Sequence, residues 1–297
     1  MAENDLIGVV TVTYNSASVL EEFLKCASAQ TYSNFLLFAI DNASTDETVS
    51  MLRICTDSRL RIIVNPDNKG IAEGNNQGIL AALESGCASV LLLNNDTTFD
   101  KDMFAALARG FEQYSAQMTC PKIMYFDEPD RIWAAGGDFQ PWFAYRVSHR
   151  GHNQLDAGQF DQVSPATYVP TCCVLIKREV FEKIGLMDAR YFVYVDDVDF
   201  MYRAMKKGVK LIYLPGNVMY HKVGGLTGGQ ESTFSIRFNT RNRVYFLIKH
   251  FGLLRSLPVL LFYQAIFAVR FLTGRLSRRE YGIKQKAVIE GISFGRS

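Results

Sequence analysis

The sequence of 297 residues lacks the features that mark several classes of protein. Its formal net charge is only +2, and its 22 glycines and 8 prolines are too few for a collagen-like chain or a long linker. Apolar residues make up 48% of the chain and charged residues 21%, which excludes an intrinsically disordered chain and a polytopic membrane protein. The composition predicts a globular protein with one large α/β domain or two smaller ones.

The six cysteines lack the spacing of a disulfide framework or a zinc site, because no two of them form a Cys-x-x-Cys pair. We expect them to be free thiols in a reducing compartment. The N-terminal Met-Ala-Glu-Asn-Asp also lacks the basic and apolar regions of a signal peptide. We therefore expect a protein that works on the cytoplasmic side.

The chain also lacks the short motifs of several enzyme families. No Gly-x-Gly-x-x-Gly fingerprint follows the first predicted strand, and there is no P-loop, no Gly-x-Ser-x-Gly and no His-Glu-x-x-His. Gly70, Gly74 and Gly78 recur every four residues, which predicts a smooth helix face for close packing and not a phosphate-binding loop.

Short apolar runs alternate with amphipathic segments in the first hundred residues. The apolar runs predict buried strands at residues 9–12, 35–40, 60–64 and 90–93. The segments between them predict helices at residues 19–29, 47–55 and 72–84. This alternation predicts a parallel, doubly wound sheet, in which ligands bind beyond the carboxyl ends of the strands.

The rest of the chain divides into two further regions. Residues 100–169 carry both tryptophans, Trp133 and Trp142, and look irregular, so we expect loops around a cleft. Order returns with predicted strands at 172–176 and 209–214 and predicted helices at 177–184 and 196–207. After residue 229 the composition becomes basic and apolar. We expect three units, at residues 1–99, 100–229 and 230–297.

Asp41 ends a predicted buried strand, level with Thr13 and Asn15 at the end of a neighbouring strand. A carboxylate there can accept the imide N–H of a uracil or thymine ring, which leaves a base pocket between the two strand ends. The alternative for Asp41, and equally for Asp46, is to cap the following helix.

A second polar group follows the predicted strand at 90–93, where Asn94-Asn95-Asp96 emerges. A carboxylate and two amide oxygens suit a divalent cation that bridges a diphosphate, although the same tripeptide also suits an ordinary turn. His221 follows the strand-like residues 218–220 and could complete the metal site with Asp96; its alternative is a structural histidine.

Three carboxylates lie within four residues at Asp196, Asp197 and Asp199. They could simply begin a helix, where acidic residues complement the helix dipole. Their mutual repulsion would also raise the pKa of one of them, which suits a general base. On helical spacing Asp196 and Asp199 share a face, whereas Asp197 points elsewhere.

Together these segments resemble the family 2 inverting glycosyltransferases with the GT-A fold, and among them the bacterial rhamnosyltransferase-like branch. The resemblance covers roughly residues 7–228. It is carried by Val10-Thr11-Val12-Thr13-Tyr14-Asn15-Ser16, Asp41-Asn42-Ala43-Ser44-Thr45-Asp46, Asn68-Lys69-Gly70 with Gly74-Asn75, Leu93-Asn94-Asn95-Asp96-Thr97, Gly185-Leu186-Met187-Asp188, Asp196-Asp197-Val198-Asp199 with Arg203, and Pro215 followed by His221.

The resemblance implies an α/β GT-A fold: a Rossmann-like, mostly parallel, doubly wound sheet with a C-terminal helical extension. Residues 1–99 would form the nucleotide-sugar-binding half and residues 100–229 the acceptor-binding and catalytic half. The residues implied on the donor side are Thr13, Tyr14, Asn15, Asp41, Asn68, Lys69, Gly70, Asn75, Asn94, Asn95 and Arg241.

The resemblance also implies the catalytic and metal-binding residues. Asp197 would be the catalytic base, with Asp196 and Trp133 on the acceptor side. Asp96 and His221 would hold Mg²⁺ or Mn²⁺. Asp96 takes the place of the last acid of the family's DxD motif, whose first acid is Asn94 here, so the predicted metal site is weaker.

The reaction implied is transfer of L-rhamnose from dTDP-rhamnose to a hydroxyl group of a glycan or undecaprenyl-diphosphate-linked acceptor, in cell-surface polysaccharide synthesis. The family's QxxRW motif of processive synthases is missing, so one or a few sugars would be added. Alternatives are a UDP-hexose or UDP-N-acetylhexosamine donor, or a non-catalytic sugar- or lipid-binding module. A sugar nucleotidyltransferase would have a glycine-rich loop where Thr13-Tyr14-Asn15-Ser16 stands. No nucleic-acid partner is expected.

The net charge divides unequally along the chain. From Arg237 onward there are twelve Lys or Arg against two Glu, whereas residues 1–236 hold twenty bases and twenty-eight acids. The apolar residues 257–269 lie between Arg255 and Arg270 and are too few to span a bilayer. They predict a peripheral segment on the anionic inner face of the cell membrane.

Two alternatives remain for this basic region. Its helices could instead cover the catalytic domain or a second subunit of a homodimer. Arg241 and Arg243 could reach the donor diphosphate or a lipid pyrophosphate.

Overall fold

A computed structural model describes residues 5–222 and 232–295 of the chain. Within them the strands are β1 (Ile7–Thr13), β2 (Phe35–Asp41), β3 (Leu60–Val64), β4 (Ser89–Leu93), β5 (Thr97–Phe99), β6 (Met118–Tyr125), β7 (Ile132–Ala134), β8 (Gly137–Gln140), β9 (Arg146–His149), β10 (Ser164–Ala166), β11 (Cys173–Lys177) and β12 (Leu211–His221). The α-helices are α1 (Ala17–Ser28), α2 (Thr48–Ile54), α3 (Gly70–Glu84), α4 (Met103–Gln113), α5 (Arg178–Ile184), α6 (Asp196–Lys206), α7 (Thr233–Leu272) and α8 (Arg278–Phe294).

Ten of these strands form one sheet with the main order β10-β12-β6-β11-β4-β1-β2-β3. Strands β1 to β4 pair in parallel, as do β6 and β12, whereas β11 runs antiparallel to both β4 and β6. Strands β4, β6 and β12 therefore point the same way, and their carboxyl ends reach one edge with those of β1 and β2. The predicted mostly parallel sheet is confirmed.

Each face of this sheet carries its own layer of helices and its own apolar core. Val9 and Leu91 pack with residues of α1 and α4 on one face. The next residues along the same strands, Val10 and Leu92, pack with α3, α6 and α7 on the other. Strands buried on both faces have continuous apolar runs, which explains why these strands could be read from the sequence.

The expected close packing of α3 is confirmed. A Cβ atom on Gly74 or Gly78 would collide with Val12 or Val10 of β1. The six cysteines are free, as expected.

The region predicted as loops is more regular than expected. It contains α4 and the buried strand β6, which lies inside the main sheet between β11 and β12. The predicted boundary at 99/100 thus falls within one continuous sheet. The two strand-like segments at 209–214 and 218–220 join into the single strand β12, with a register shift between Leu214 and Val218.

The C-terminal part is a helical hairpin of α7 and α8. Helix α7 has 40 residues and is interrupted at Gly252, where φ is 76°. Its first half packs on the sheet domain through buried residues such as Tyr245 and Phe246. Helix α7 is longer than the apolar segment predicted at residues 257–269. By length and composition alone it could cross a membrane. The predicted boundary at 229/230 lies outside the described residues.

Candidate active site

Thr13 and Asp41 lie side by side at the carboxyl ends of β1 and β2, where the register pairs them directly. The Thr13 hydroxyl donates to Oδ1 of Asp41 over 2.9 Å, and both residues are buried. Ser44 donates to the same carboxylate from its hydroxyl at 2.5 Å and from its amide at 2.9 Å. The structure brings Thr13 and Asp41 together as expected; their contact with a nucleobase stays a prediction.

Asn15 links the end of β1 to the loop that follows β2. Its side-chain oxygen accepts from the Thr45 backbone amide at 2.8 Å, and its backbone amide donates to the Ser44 hydroxyl at 2.9 Å. Tyr14, its neighbour, is 45% exposed. Asn15 therefore joins the end of β1 to the loop after β2, and Tyr14 presents an exposed side chain beside it.

Helix capping was an alternative role for both Asp41 and Asp46, and the structure gives this role to Asp46. Its carboxylate accepts from the amides of Ala17 and Thr48, both at 3.0 Å. Asp46 thus bonds to the starts of both α1 and α2, the helices that follow β1 and β2.

The predicted donor segment at 68–70 forms the turn into α3. The Asn68 side-chain oxygen accepts from the Gly70 amide at 2.9 Å. Gly70 has φ of +83°, which glycine adopts without strain. Lys69 pairs with Asp67 at 2.7 Å and is partly exposed. Asn75 is buried one turn further on, with Nδ2 3.6 Å from the sulfur of Met187.

Asp96 and His221 meet because β5 pairs with the end of β12, which sets Thr97 opposite His221. The distance from Oδ1 of Asp96 to Nε2 of His221 is 3.2 Å. Nevertheless, neither this carboxylate oxygen nor Nδ1 of His221 has a hydrogen-bond partner within the described part of the chain, although both atoms are buried. A buried carboxylate oxygen without a partner beside an imidazole fits a divalent cation.

The other two residues of the Asn94-Asn95-Asp96 segment serve the turn. The Asn95 side chain donates to the carbonyl of Val12 at 2.7 Å and is buried. The carbonyl of Asn94 accepts from the Thr97 hydroxyl at 2.6 Å. Among the described residues no group of three or more His, Cys, Asp or Glu is placed to hold a metal ion; Asp96 and His221 are a pair of such side chains.

The acidic segment begins α6, and its three carboxylates have different surroundings. Asp197 accepts from the Tyr168 hydroxyl at 2.6 Å and from the Val198 amide at 2.8 Å. Burial raises the pKa of Asp197, and burial together with the nearby Asp197 charge raises the pKa of Asp196 well above its usual range. A raised pKa in a hydrogen-bonded carboxylate is the property expected of a general base.

Asp199 has a structural role. It is fully buried and pairs with Arg203 at 2.8 Å and with Lys249 and His250 at 2.7 Å. Burial opposes its ionisation, yet the His250 hydrogen bond and the neighbouring cations hold its pKa well below the usual range. Asp199 thus has surroundings different from those of Asp197, whereas the charge of Asp197 acts on its neighbour Asp196.

Trp133 lies between two histidines. Its ring centroid is 4.9 Å from those of His149 and His221, edge to face in both cases. The ring of His149 in turn lies 5.6 Å from that of Tyr168. Burial lowers the pKa of His149 to about 4, so its ring is neutral near pH 7. Trp133 is thus placed next to the Asp96–His221 pair.

Sequence reasoning missed Tyr168 and His149. Both lie in the region predicted as loops, and neither belongs to a recognisable motif. Their positions depend on contacts between distant segments, such as the Tyr168–Asp197 bond across 29 residues, and no local pattern signals such a contact.

Arg241, predicted on the donor side, is buried against backbone carbonyls. Its side chain is only 7% exposed and donates to the carbonyls of Arg190 at 3.0 Å and Tyr191 at 2.8 Å. Arg243 likewise bonds to the carbonyl of Ala144. Both guanidinium groups hold backbone segments.

Comparison with known proteins gives a family and a fold. The model of the family described as glycosyl transferase family 2 matches residues 8–185. The N-acetylglucosaminyl-diphospho-decaprenol L-rhamnosyltransferase of Mycobacterium tuberculosis is 23% identical over 276 residues, which are 85% of this chain and 87% of that protein. The dTDP-rhamnosyl transferase RfbF of Shigella flexneri is 23% identical over 299 residues, 97% of this chain and 96% of RfbF.

Solved structures share the fold at low identity. A mannosyltransferase of Pyrobaculum calidifontis in complex with GDP-Man and Mn²⁺ is 16% identical with a TM-score of 0.56, over 98% of this chain and 87% of that one. GalNAc-T7 with UDP, GalNAc and Mn²⁺ is also 16% identical, with a TM-score of 0.62 over 84% of this chain. This chain spans about half (51%) of the GalNAc-T7 chain. The GT-A fold is thereby shown.

Proposed function

The chain belongs to glycosyl transferase family 2, and on that premise we propose that it moves a sugar from a nucleotide-sugar donor to a hydroxyl group of a lipid-linked glycan, with inversion at C1. We propose dTDP-L-rhamnose as the donor, because two relatives are named for rhamnosyl transfer. The name of one of them specifies a sugar on a polyprenyl diphosphate, which supports an acceptor of the undecaprenyl-diphosphate type.

One observation carries this proposal. Thr13 and Asp41 end parallel strands at one edge of the sheet, and Asp96 follows β4 there and pairs with His221. Asp96 and Asp197 both lie near Cys172, which precedes β11 at the same edge. Three kinds of site are needed for glycosyl transfer: one for the nucleotide, one for the diphosphate charge and one for the acceptor proton. In this proposal Thr13 and Asp41 serve the nucleotide, Asp96 and His221 the diphosphate charge, and Asp197 the acceptor proton.

In the proposed reaction Asp197 takes the proton of the acceptor hydroxyl while that oxygen bonds to C1 of the sugar and the bond from C1 to the diphosphate breaks. The raised pKa of Asp197 strengthens it as a base. Tyr168 holds the carboxylate by its hydrogen bond. We place the acceptor beside Asp196 and Trp133, because Trp133 lines the same end of the sheet next to His221.

On the donor side we assign the base pocket to Thr13, Tyr14, Asn15 and Asp41, and the remaining contacts to the turn residues Asn68, Lys69 and Gly70, with Asn75, Asn94 and Asn95 behind them. Asp96 and His221 would hold Mg²⁺ or Mn²⁺, whose charge when bound offsets that of the leaving diphosphate. The two GT-A structures with Mn²⁺ support a divalent ion of this kind.

A UDP-hexose or UDP-N-acetylhexosamine is the second candidate donor. It is favoured by the structure of GalNAc-T7, which holds UDP and GalNAc. Thermal-shift measurements with dTDP-, UDP- and GDP-sugars, each with and without Mn²⁺, would separate the donors. We expect dTDP-rhamnose with Mn²⁺ to give the largest rise in Tm; a larger rise with a UDP-sugar would support the second donor, and no rise with any of them would contradict the proposal.

We also propose that the outer half of α7 rests on an anionic membrane surface. Leu254 and Leu272 are more than 80% exposed, and Leu261 and Phe262 more than 60%. Exposed arginines, Arg255 and Arg270 among them, flank this apolar face. Apolar side chains beside cations suit the interface of an anionic bilayer, and an acceptor on a lipid would be reached there.

Flotation with vesicles tests this location. The protein should float with vesicles that contain phosphatidylglycerol, and less with pure phosphatidylcholine or at high salt, because the cations contribute. The double variant Leu261→Ser and Phe262→Ser should float less, whereas a control change at the exposed Ile54 of α2 should not. Unchanged flotation of the double variant, or a dimer in solution that covers this face, would contradict the proposal.

A further inference from the structure

The segment that leads into Asp196 and Asp197 has an unusual backbone. Phe192, Tyr194 and Val195 have φ values of 65°, 63° and 65°. Such values are uncommon for any residue except glycine and are outliers for a β-branched residue such as Val195. Helix α6 begins directly after Val195, and the side chain of this N-cap residue makes no capping hydrogen bond. The position of Asp197 therefore depends on what holds this segment in its strained form.

Asn242, on the buried half of α7, makes the contacts that hold it. Its side-chain nitrogen lies 2.9 Å from the carbonyl oxygen of Tyr191, 2.7 Å from that of Val193 and 2.8 Å from that of Tyr194. Asn242 is fully buried. The two N–H groups of this side chain thus donate to three carbonyl oxygens of the segment.

Arg241 fixes the orientation of that amide. Its Nε donates to Oδ1 of Asn242 at 2.7 Å, which turns the amide nitrogen towards the carbonyls. Its terminal nitrogen donates to the carbonyls of Arg190 and Tyr191. The guanidinium also lies over the rings of Phe238 and Phe294, 4.5 and 4.9 Å from their centroids. The two side chains form one unit, which we call the α7 clamp.

The same segment touches the turn at 68–70 on the donor side. The carbonyl of Phe192 accepts from the Ile71 amide at 2.6 Å, and a Cβ atom on Gly70 would collide with Phe192. The ring of Phe192 stacks on Phe238 of α7 at 5.4 Å. The α7 clamp therefore holds a segment that lies between the proposed donor turn and the proposed base.

We infer that Asn242, oriented by Arg241, is a positioning residue for glycosyl transfer. Its amide keeps residues 191–194 in the arrangement that sets Asp197 against the Tyr168 hydroxyl. This inference rests on the proposed function. Arg241 and Asn242, at the basic start of the C-terminal region, then position the base Asp197 and do not bind a phosphate group.

The test compares Asn242→Ala with Gln30→Ala in the full-length protein. Gln30 is a suitable control because it is also a buried amide that bonds to three backbone groups, those of Cys26, Asp100 and Phe104, but far from this segment. Transfer from dTDP-rhamnose to a short-chain GlcNAc-diphosphopolyprenol is measured with Mn²⁺, together with the Tm of each variant.

We expect Asn242→Ala to lower kcat by about 100-fold, the cost of a misplaced catalytic group, with little change in the KM for dTDP-rhamnose. Gln30→Ala should lower Tm comparably but leave kcat near that of the unchanged protein. Equal kcat values for the two variants, or a loss confined to KM, would overturn the inference.

A second variant covers the case in which Asn242→Ala does not fold. Arg241→Lys keeps the charge but lacks the planar fork that serves Asn242 and the two carbonyls together, and it should lower kcat by roughly tenfold with little change in KM. An unchanged kcat in Arg241→Lys would equally overturn the inference. If the unchanged protein neither transfers rhamnose nor gains Tm with any nucleotide sugar, the proposed function fails first, which is a different result.

Discussion

The Tyr168 hydroxyl donates a 2.6 Å hydrogen bond to Oδ2 of Asp197. Burial raises the pKa of Tyr168 well above its usual range, so the phenol keeps its proton and remains a donor. Burial likewise raises the pKa of Asp197, whereas the bond from Tyr168 lowers it. Two opposing effects therefore set the pKa of the proposed base, and burial is the larger.

Replacing Tyr168 with Phe should raise the pKa of Asp197 further, because the bond that favours its charged form is lost. The acidic limb of the kcat profile against pH should move to higher pH, since the base is then protonated over a wider range. A hydrogen bond to a charged group is worth about 1.5–3 kcal/mol, so kcat at neutral pH should fall roughly tenfold or more. The measurement is transfer rate against pH.

Tyr32→Phe is the matched control for this change. Tyr32 is also a buried tyrosine, and its hydroxyl donates to the carbonyl of Asp5, away from the site. Its loss should leave the pH profile in place. A profile that stays unmoved in Tyr168→Phe as well would argue against Asp197 as the base.

Asp197→Asn should abolish transfer while donor binding persists. The amide has nearly the same shape but cannot take a proton, and general-base catalysis contributes about 10²–10⁴-fold. Transfer is followed by product formation, and donor binding by the rise in Tm with dTDP-rhamnose and Mn²⁺. If the variant lost donor binding together with transfer, Asp197 would belong to the donor site instead.

The sequence and the structure agree best where apolar runs are unbroken. Strand β4 could be predicted because all five of its residues are buried and all except Ser89 are apolar. Strand β6 could not, because Pro121 and Lys122 interrupt its run. Proline is disfavoured inside a sheet, and Lys122 is tolerated only because its ammonium group pairs with Asp156 and Asp161, two residues from elsewhere in the chain.

Some residues of the site could likewise be predicted from the sequence, and others could not. Thr13, Asp41 and Asp96 follow predictable strands, so their meeting at one edge follows from topology. Tyr168 and Asn242 act through contacts with remote backbone and side-chain atoms, which no local pattern encodes. The bonds of Arg241 to backbone carbonyls could not be predicted either, because the sequence does not distinguish a buried arginine from the other arginines of the basic region.

His221→Ala should weaken the binding of Mn²⁺ in the presence of dTDP. Even the outer partners of metal ligands contribute about 10–100-fold to affinity, so removal of a ligand should raise the Kd for Mn²⁺ at least tenfold. Calorimetric titration measures it without reference to activity. His152→Ala is the control, because His152 is close by and its Nδ1 lies 3.1 Å from the carbonyl oxygen of Trp133. Equal Kd values in both variants would remove His221 from the proposed metal site.

Asp199→Asn should destabilise the fold itself. Asp199 is fully buried, pairs with Arg203 and Lys249 and bonds to His250, so the change removes the negative charge that faces the two cations, at a cost of about 3–5 kcal/mol. The pKa of Asp199 is depressed in the folded state, and the carboxylate therefore stabilises the fold above its unfolded pKa of about 3.9.

That stabilisation is lost as the pH falls from about 4 towards the lower folded-state pKa. The difference in unfolding free energy between Asp199→Asn and the unchanged protein should therefore be full at pH 7 and shrink below pH 4. Urea unfolding at a series of pH values measures it, with Glu21→Gln as the control, since Glu21 pairs with Lys25 in an exposed position and an exposed pair contributes little. A difference that stays constant down to pH 3 would mean that packing, and not the charge of Asp199, joins α6 to α7.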